Sequence, residues 1–328
     1  MAGGVPPNSA ATQGALQAGA SQAGGLQVGG RQAENAGYRG IRSALLLPTW
    51  GMIGVFLALP VALVVVYSFL TKEFRGGVIW DFTLTAYDQF FFSRGLFGDE
   101  AATLEWTYIG IFWRSVWQAG LATAICLLVG FPTAWFIATR PARSRPVWLF
   151  LITIPYWVNL LIRTVSLKFL IRDNGPLNEL LLGLGVISDP LPLVNTNLAV
   201  QLGLFYSYLP FMVLPVYAAV ERYNFALTEA AADLGAGRWT TLWHIILPIV
   251  RPGIVAGCIL VFVPSLGAFL APDLLGGAKN FMIGSLIDEQ FKGSQGNWPF
   301  GSAVAVILMT VVMAVLLIYA RNSARAAK

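Results

Sequence analysis

Long apolar windows alternate with short polar segments along the chain of 328 residues. Six windows are about as long as the roughly 20 residues with which an α-helix crosses the hydrocarbon core of a bilayer. Backbone polar groups in hydrocarbon must be bonded within their own segment, so each window is predicted to be a helix and the chain an all-α membrane protein. The windows are Leu45–Phe69, Phe112–Ala138, Val147–Leu170, Leu198–Val220, Ile249–Leu275 and Ala303–Ala320.

The composition agrees with this interpretation and adds an orientation. Hydrophobic residues make up 56% of the chain and charged residues 11%, which is too little charge to cover a soluble domain. The termini, the 139–146 turn and the 221–251 loop carry twelve basic and four acidic residues, a net charge of +8, against −3 elsewhere. Basic residues favour the cytoplasmic side, so both termini are predicted to be cytoplasmic. The basic balance therefore reports topology, and no nucleic-acid partner is expected.

The chain divides into a tail and one membrane domain. Residues 1–38 are mainly Ala, Gly, Gln and Ser with almost no charge, and are predicted to be a disordered cytoplasmic tail because they bury too little surface to fold. Residues 39–328 form the membrane domain. Of the outer segments, 71–111 is predicted to form short interfacial helices, and 172–197 and 276–302 to form turns over a cavity.

Few residues suggest catalysis or metal binding. Cys126 and Cys258 both fall in apolar windows, where cysteine behaves as a small buried hydrophobe, so no disulfide is expected. His244 is the only histidine, and it has no companion ligands in the sequence. No catalytic residue and no metal site are predicted.

The polar stretch EAAADLGAGRWTTLWHIILP (229–248) interrupts this apolar pattern within the 221–248 loop. Its first part, Leu227–Leu234, is rich in helix formers, with Thr228 as the predicted N-cap. Gly235 supplies the left-handed backbone that ends a helix. A second helix is predicted from Arg238 to Leu247, with Pro248 at the turn into the fifth membrane helix.

The first of these two helices has the features of a docking surface. Glu229 and Asp233 are four residues apart and therefore share one face, where they could meet a basic partner. The alanines beside them allow another surface to approach closely. The predicted docking residues are Glu229, Ala230, Ala231, Asp233, Leu234 and Gly235. A helix that rests on the bilayer would explain Trp239 and Trp243, but it would leave the acidic, alanine-rich face unexplained.

A driven transporter needs an energy source, and this chain has no motif to supply one. Nothing matches G-x-x-x-x-G-K-[ST], and the sequence contains no Gly-Lys pair. ATP is therefore expected to be hydrolysed by another polypeptide, with no cofactor bound by this chain.

The loop resembles the one by which inner-membrane permeases of bacterial ABC importers bind their ATPase subunits. The shared features are E-A-A, a glycine four residues after the second alanine, and the following Ile245, Leu247 and Pro248. Further stretches over about residues 40–320 resemble the permeases of bacterial spermidine/putrescine importers. They are IPYWVNLLIRT (154–164), DNGPLNELLLGLGVI (173–187), YLPFMVLPVYAAVE (208–221), PDLLGGAKNFMIGSLIDEQF (272–291) and WPFG (298–301).

The resemblance implies a fold and a set of partners. The fold would be that of a type I ABC importer permease, with six transmembrane helices and a cytoplasmic coupling helix. A second homologous permease would complete the pore in the bacterial inner membrane. Two ATPase subunits would bind ATP and Mg²⁺ beneath it, and a periplasmic binding protein would deliver the substrate.

The predicted cargo is a polyamine, and relatives for opines and other small solutes share much of the pattern. A polycation in a membrane cavity needs carboxylates and aromatic faces. The candidates for the substrate path are Tyr156, Trp157, Asn159 and Asp273. An ion pair of Asp273 with Lys279 or Arg172 at the interface explains that carboxylate equally well.

Two observations argue against a specific putrescine path. Ala268 stands after Gly267 where some relatives of the putrescine branch carry a carboxylate. Arg163 and Lys168 would repel a cation unless they face neighbouring elements or the outer interface.

Two other classes of membrane protein compete with this interpretation. An ion-coupled secondary transporter should have ionisable residues mid-membrane and inverted repeats, whereas the windows here are nearly free of charge at their centres. An intramembrane enzyme would need a nucleophile beside a base, and the one histidine lies at the edge of a window.

Overall fold

The computed structural model describes residues 46–73, 77–93, 103–293 and 296–326. The predicted tail, residues 1–38, lies outside these ranges. The chain divides into two units, Met1–Leu63 and Val64–Lys328, and the packing described below is that of the second.

Five helices in the described part of the chain are long and apolar enough to cross a membrane. Four of them confirm the first, second, fourth and sixth predicted windows, with ends that differ by a few residues. They are α1 (Leu46–Tyr67), α3 (Trp106–Ala138), α7 (Asn197–Glu221), α9 (Arg238–Leu266) and α11 (Trp298–Ala326).

The third window is broken, so its prediction as a single helix is wrong. Helix α4 (Arg145–Trp157) and helix α5 (Leu160–Ile171) are separate, and the segments Arg145–Trp157 and Leu160–Gly183 meet at an angle of 91°. Val158 is extended, and the Asn159 side chain accepts a hydrogen bond from the Leu161 amide at 2.8 Å. Asparagine is a favoured N-cap because its side chain bonds an amide that the first turn leaves free, so a new helix starts here.

The fifth window is also placed differently from the prediction. Helix α9 starts at Arg238, includes a π-helical turn at Leu242–Ile246 and continues through Pro248. The predicted boundary at Pro248 is therefore wrong: the loop helix and the membrane helix are one. The wider turn before Pro248 accommodates a residue without an amide hydrogen, which explains the continuity. The helix ends at Leu266, before the predicted end at Leu275, and a π-helical turn follows at Pro272–Gly276.

Short elements connect the long helices. The prediction of short helices within 71–111 is confirmed by one of them, α2, which two small hairpins accompany. The turns predicted elsewhere contain helices α6 and α10. The elements are β1 (Thr71–Lys72), β2 (Val78–Ile79), α2 (Thr85–Phe91), β3 (Phe92–Ser93), β4 (Thr103–Leu104), α6 (Pro176–Gly183), α10 (Ile283–Lys292) and a 3₁₀ turn (Ala278–Asn280).

Helices α3, α7 and α9 form the core around Met212 of α7. The Met212 side chain is fully buried between Gly130 of α3 and Gly257 of α9. A Cβ atom at either glycine would lie 2.8 Å from a Met212 side-chain atom, closer than real contacts allow. Glycine thus lets the three helices approach closely, as small residues do in membrane bundles.

Candidate functional site

The loop between α7 and α9 is held against the core by aromatic side chains. Tyr223 is 4% exposed, and its ring centroid lies 6.1 Å from that of Trp135 on α3 and 5.4 Å from that of Phe225. Trp135 and Phe225 also meet edge to face at 5.5 Å. These three rings form a cluster, named here the aromatic anchor, that fixes the loop to α3.

Helix α8 (Ala226–Asp233) begins directly after the anchor. The Asn224 side chain accepts from the Ala226 amide at 3.1 Å. Thr228 lies inside the helix, where its hydroxyl bonds the Tyr223 hydroxyl at 2.8 Å. The prediction of Thr228 as N-cap is therefore wrong, because the helix starts two residues earlier and Thr228 instead ties it to the anchor.

The end of α8 matches the prediction for Gly235. This residue has φ +81°, in the left-handed region that glycine adopts without strain. The Gly235 amide donates to the Ala232 carbonyl and the Ala236 amide to the Ala231 carbonyl, both at 2.9 Å. This pair of bonds is the Schellman motif, which satisfies carbonyls that the helix end would otherwise leave free.

The predicted docking residues do not all share one surface. Glu229, Ala230, Asp233, Leu234 and Gly235 are exposed, whereas Ala231 is 7% exposed and faces the chain itself. Leu234 is 88% exposed at the tip of the helix. Within the described ranges, neither carboxylate of α8 forms an ion pair. The docking role of this face stays a prediction.

Glu221 is a residue that the sequence reasoning did not single out. Its carboxylate accepts from the Tyr217 hydroxyl at 2.7 Å and lies 3.5 Å from the Arg145 guanidinium. It therefore joins the end of α7 to the start of α4, beside the aromatic anchor. Only the spacing of four between Tyr217 and Glu221 could have indicated part of this arrangement.

The chain is broken between α4 and α5 and again after the end of α9 at Leu266, and a cavity lies where these two helix breaks meet. A space of about 110 Å³ lies between the start of α5, the middle of α7 and the link after α9. Its polar side chains are Thr164, Ser207 and Tyr208, and Gly267 and Ala268 are also part of the lining. Discontinuous helices commonly form substrate sites in transporters because their ends present polar groups inside the membrane.

The four predicted path residues lie outside the lining of this cavity. Tyr156, Trp157 and Asn159 come together at the bend between α4 and α5, with Trp157 80% exposed. Asn159 uses its side chain as the N-cap of α5. Asp273 is exposed in the turn after α9, and in the described part of the chain it has no ion pair with Lys279 or Arg172. Their role in transport stays a prediction.

Arg163 closes the bend instead of lining a path. It is 5% exposed, and its Nη2 donates to the carbonyls of Tyr156 at 3.0 Å and Val158 at 2.8 Å. The guanidinium also lies 5.6 Å from the Tyr156 ring and 5.9 Å from the Tyr206 ring. The sequence predicts that Arg163 repels a cation unless it faces neighbouring elements, and in the structure it does face them.

Comparison with known proteins defines the class. The sequence profile of the family described as binding-protein-dependent transport system inner membrane component matches residues 130–328. The chain belongs to this family, and it is a multi-pass inner membrane protein with the fold of an ABC importer permease.

Curated relatives and solved structures agree with this class. The spermidine/putrescine transport system permease protein PotB of Salmonella typhimurium (strain SL1344) is 41% identical over 282 residues, covering 86% of this chain and 93% of the relative. PotB of Escherichia coli (strain K12) is 41% identical over 273 residues, covering 83% and 94%. A bacterial ABC transporter that imports the polysaccharide alginate has the same fold, with a TM-score of 0.65 at 18% identity, covering 91% of this chain and 100% of that one.

Proposed function

We propose that this chain is the transmembrane permease subunit of an ATP-driven importer for a polyamine. The observation that carries the proposal is helix α8, which the aromatic anchor holds firmly while its acidic face and Leu234 stay exposed. An exposed leucine beside two carboxylates is suited to the pocket of a partner protein with basic residues around it.

The partners follow from this role. A second homologous permease completes the pathway, and a periplasmic binding protein delivers the substrate. Two ATPase subunits bind ATP and Mg²⁺ and receive α8, so this chain itself hydrolyses nothing. The basic excess on the α8 side supports a cytoplasmic location of both termini and of α8.

The contacts of α8 explain how ATP hydrolysis would move the membrane helices. The Tyr223–Thr228 hydroxyl pair and the aromatic anchor connect α8 to α3. The three-helix core around Met212 then connects α3 to α7 and α9. A push on α8 is therefore transmitted to the core as a rigid-body movement, because close-packed interfaces do not deform gradually.

The polyamine assignment draws on the relatives, which are named for spermidine and putrescine transport. Ala268 lines the membrane cavity at the position where some relatives of the putrescine branch carry a carboxylate, so the cavity has no carboxylate there. A neutral cavity also suits an opine or another small organic solute, so the cargo test includes those compounds.

Reconstitution tests this function. The chain is co-expressed with its sister permease, the ATPase subunit and the binding protein, and the complex is placed in proteoliposomes. We expect the proteoliposomes to take up labelled spermidine, and this uptake should require both ATP and the binding protein. Unlabelled putrescine should compete with the labelled spermidine more strongly than an unlabelled opine does. Uptake driven by a proton or sodium gradient without ATP would instead identify a secondary transporter.

A further inference from the structure

Ser207 has an unusual position for a serine in a membrane helix. It lies on α7, is 6% exposed, and lines the cavity between the two helix breaks. Many helical hydroxyls within the described ranges donate to the carbonyl four residues earlier, whereas the Ser302 hydroxyl has no partner. Those that donate in this way include Ser115, Thr123, Thr133, Thr164, Ser265 and Thr310.

The Ser207 hydroxyl makes no such bond. Across the described ranges it has no hydrogen-bond partner, and its oxygen keeps accessible surface, whereas the equally unbonded Ser302 hydroxyl is fully enclosed by protein. The cavity beside it holds about 110 Å³, several times the roughly 10–15 Å³ that one water needs. An unbonded hydroxyl with an accessible oxygen, on a residue that lines a cavity of this size, is available to a ligand.

The other two hydroxyls of the cavity determine which chemistry that ligand needs. Thr164 donates its hydrogen to the Leu160 carbonyl at 2.8 Å, and Tyr208 donates its hydrogen to the Pro264 carbonyl at 3.3 Å. Each hydroxyl has one hydrogen, so both oxygens can only accept further bonds. Ser207 can both accept and donate, so the cavity offers three hydroxyl acceptors against one free hydroxyl donor and prefers a ligand rich in donors.

Resting on the proposed function, we propose that this cavity binds one terminal ammonium group of a linear amine and the methylenes next to it. A primary ammonium has three N–H donors and no acceptor, which corresponds to the three hydroxyl oxygens. The Tyr208 ring adds a face that attracts cations. Leu204, Phe269 and Leu270 provide apolar lining for the carbon chain.

The described lining of the cavity carries no charge, which suits a site that an amine passes through better than a site that holds it tightly. All eleven residues that line the cavity are uncharged. A carboxylate there would hold an ammonium tightly, whereas neutral acceptors bind it weakly enough for release. The site is a step in translocation, separate from recognition by the binding protein.

The test measures binding of labelled spermidine to the purified complex of permeases and ATPase subunits, without the binding protein. The comparison ligand is spermidine acetylated at both ends, which lacks terminal ammonium groups. Wild type is expected to prefer spermidine by about tenfold or more, the effect of one hydrogen bond to a charged group. Ser207→Ala is expected to weaken spermidine binding about tenfold, and Ser207→Val, which also fills the space, to abolish it.

Ser265→Ala is the matched control, because Ser265 is buried but bonded to the Val261 carbonyl. It should bind spermidine as wild type does. ATP-dependent uptake by wild type separates the two claims. Failure of wild type to take up any amine overturns the proposed cargo. Suppose that wild type takes up spermidine normally. The cavity assignment alone is then overturned if wild type binds spermidine no better than acetylated spermidine, does not bind spermidine at all, or binds it no better than the Ser207 variants do.

Discussion

Arg163 donates a hydrogen bond of 2.8 Å from its Nη2 atom to the carbonyl oxygen of Val158, across the bend between α4 and α5. The carbonyls at the end of a helix lack partners within it and carry partial negative charge. A buried guanidinium that bonds two backbone carbonyls therefore stabilises a 91° bend in the third membrane segment.

Replacing Arg163 by methionine is expected to destabilise the protein in detergent. The change leaves two carbonyls unbonded, and each hydrogen bond to a charged group contributes about 1.5–3 kcal/mol in soluble proteins. With about 2–4 °C per kcal/mol for a domain of this size, the apparent Tm should fall by at least several degrees. Lys168→Met, on the same helix, is the control and should change Tm little. Equal Tm values for both variants would contradict this role.

The close approach of α7 and α9 predicts intolerance of any side chain at Gly253. A Cβ atom there would lie 2.7 Å from the Pro215 carbonyl oxygen and would also contact the Ala219 Cβ. Such overpacking typically costs about 1–3 kcal/mol. Gly253→Ala should lower the yield of monodisperse protein and its Tm, whereas Gly120→Ala, where no atom lies within 4 Å, should not. A Gly253→Ala protein as stable as wild type would show that the helices separate readily.

Loss of the hydroxyl pair between Tyr223 and Thr228 should loosen α8 without unfolding the membrane core. One neutral hydrogen bond contributes about 0.5–1.5 kcal/mol. In Tyr223→Phe, amide hydrogen exchange should be faster within residues 226–233 and unchanged in α3. Tyr319→Phe removes a hydroxyl on α11, far along the chain, and serves as the control. Exchange that is unchanged in 226–233 would mean that the aromatic rings alone hold the helix.

The predicted orientation can be tested by labelling single cysteines. Leu234→Cys and Lys292→Cys place thiols at exposed positions, 88% and 67% exposed in the present side chains, on the two predicted sides. When the permease is expressed without the ATPase subunits, which would cover Leu234, a membrane-impermeant maleimide should label Leu234→Cys only in inverted vesicles and Lys292→Cys only in spheroplasts. The reverse result would invert the topology. Cys126 and Cys258 are replaced by alanine first, so that only the introduced thiol reacts.

Much of the membrane architecture is predictable because the hydrocarbon core imposes one strong rule. Apolar length alone identifies α3, α7 and α11, since a helix is the structure that bonds its own backbone there. The break after Trp157 escapes this rule, because hydropathy does not register a local cap such as Asn159. The Arg163 clamp that stabilises the break depends on contacts that only the folded chain reveals.

The loop illustrates the same division between local and tertiary information. Gly235 is predictable because a left-handed residue at a helix end is a local requirement. Thr228 has the composition of an N-cap, but the anchor at Tyr223 starts the helix earlier and takes the hydroxyl. Ala231 looks available for docking until the packing buries it. Ser207 and its cavity require two helix breaks to be brought together, which no sequence window contains.

Helix α6 has the same arrangement of a glutamate and a helix-ending glycine as α8, so it provides a matched control for the test of docking by α8. Glu179 and Gly185 have the same spacing as Glu229 and Gly235, and Gly185 ends α6 with φ +70° and the same pair of backbone hydrogen bonds, to Leu182 and Leu181. Aspartate at either glycine costs about 1–2 kcal/mol of local strain. The two double variants therefore carry the same chemical change on opposite predicted sides of the membrane.

The most direct measurement is the amount of ATPase subunit that co-purifies with the permease, together with substrate-stimulated ATP turnover. We expect Glu229→Ala with Gly235→Asp to lose most of both, and Glu179→Ala with Gly185→Asp to keep the bound ATPase subunit. Unchanged association and turnover in the Glu229 double variant would show that α8 is a surface helix without a docking role.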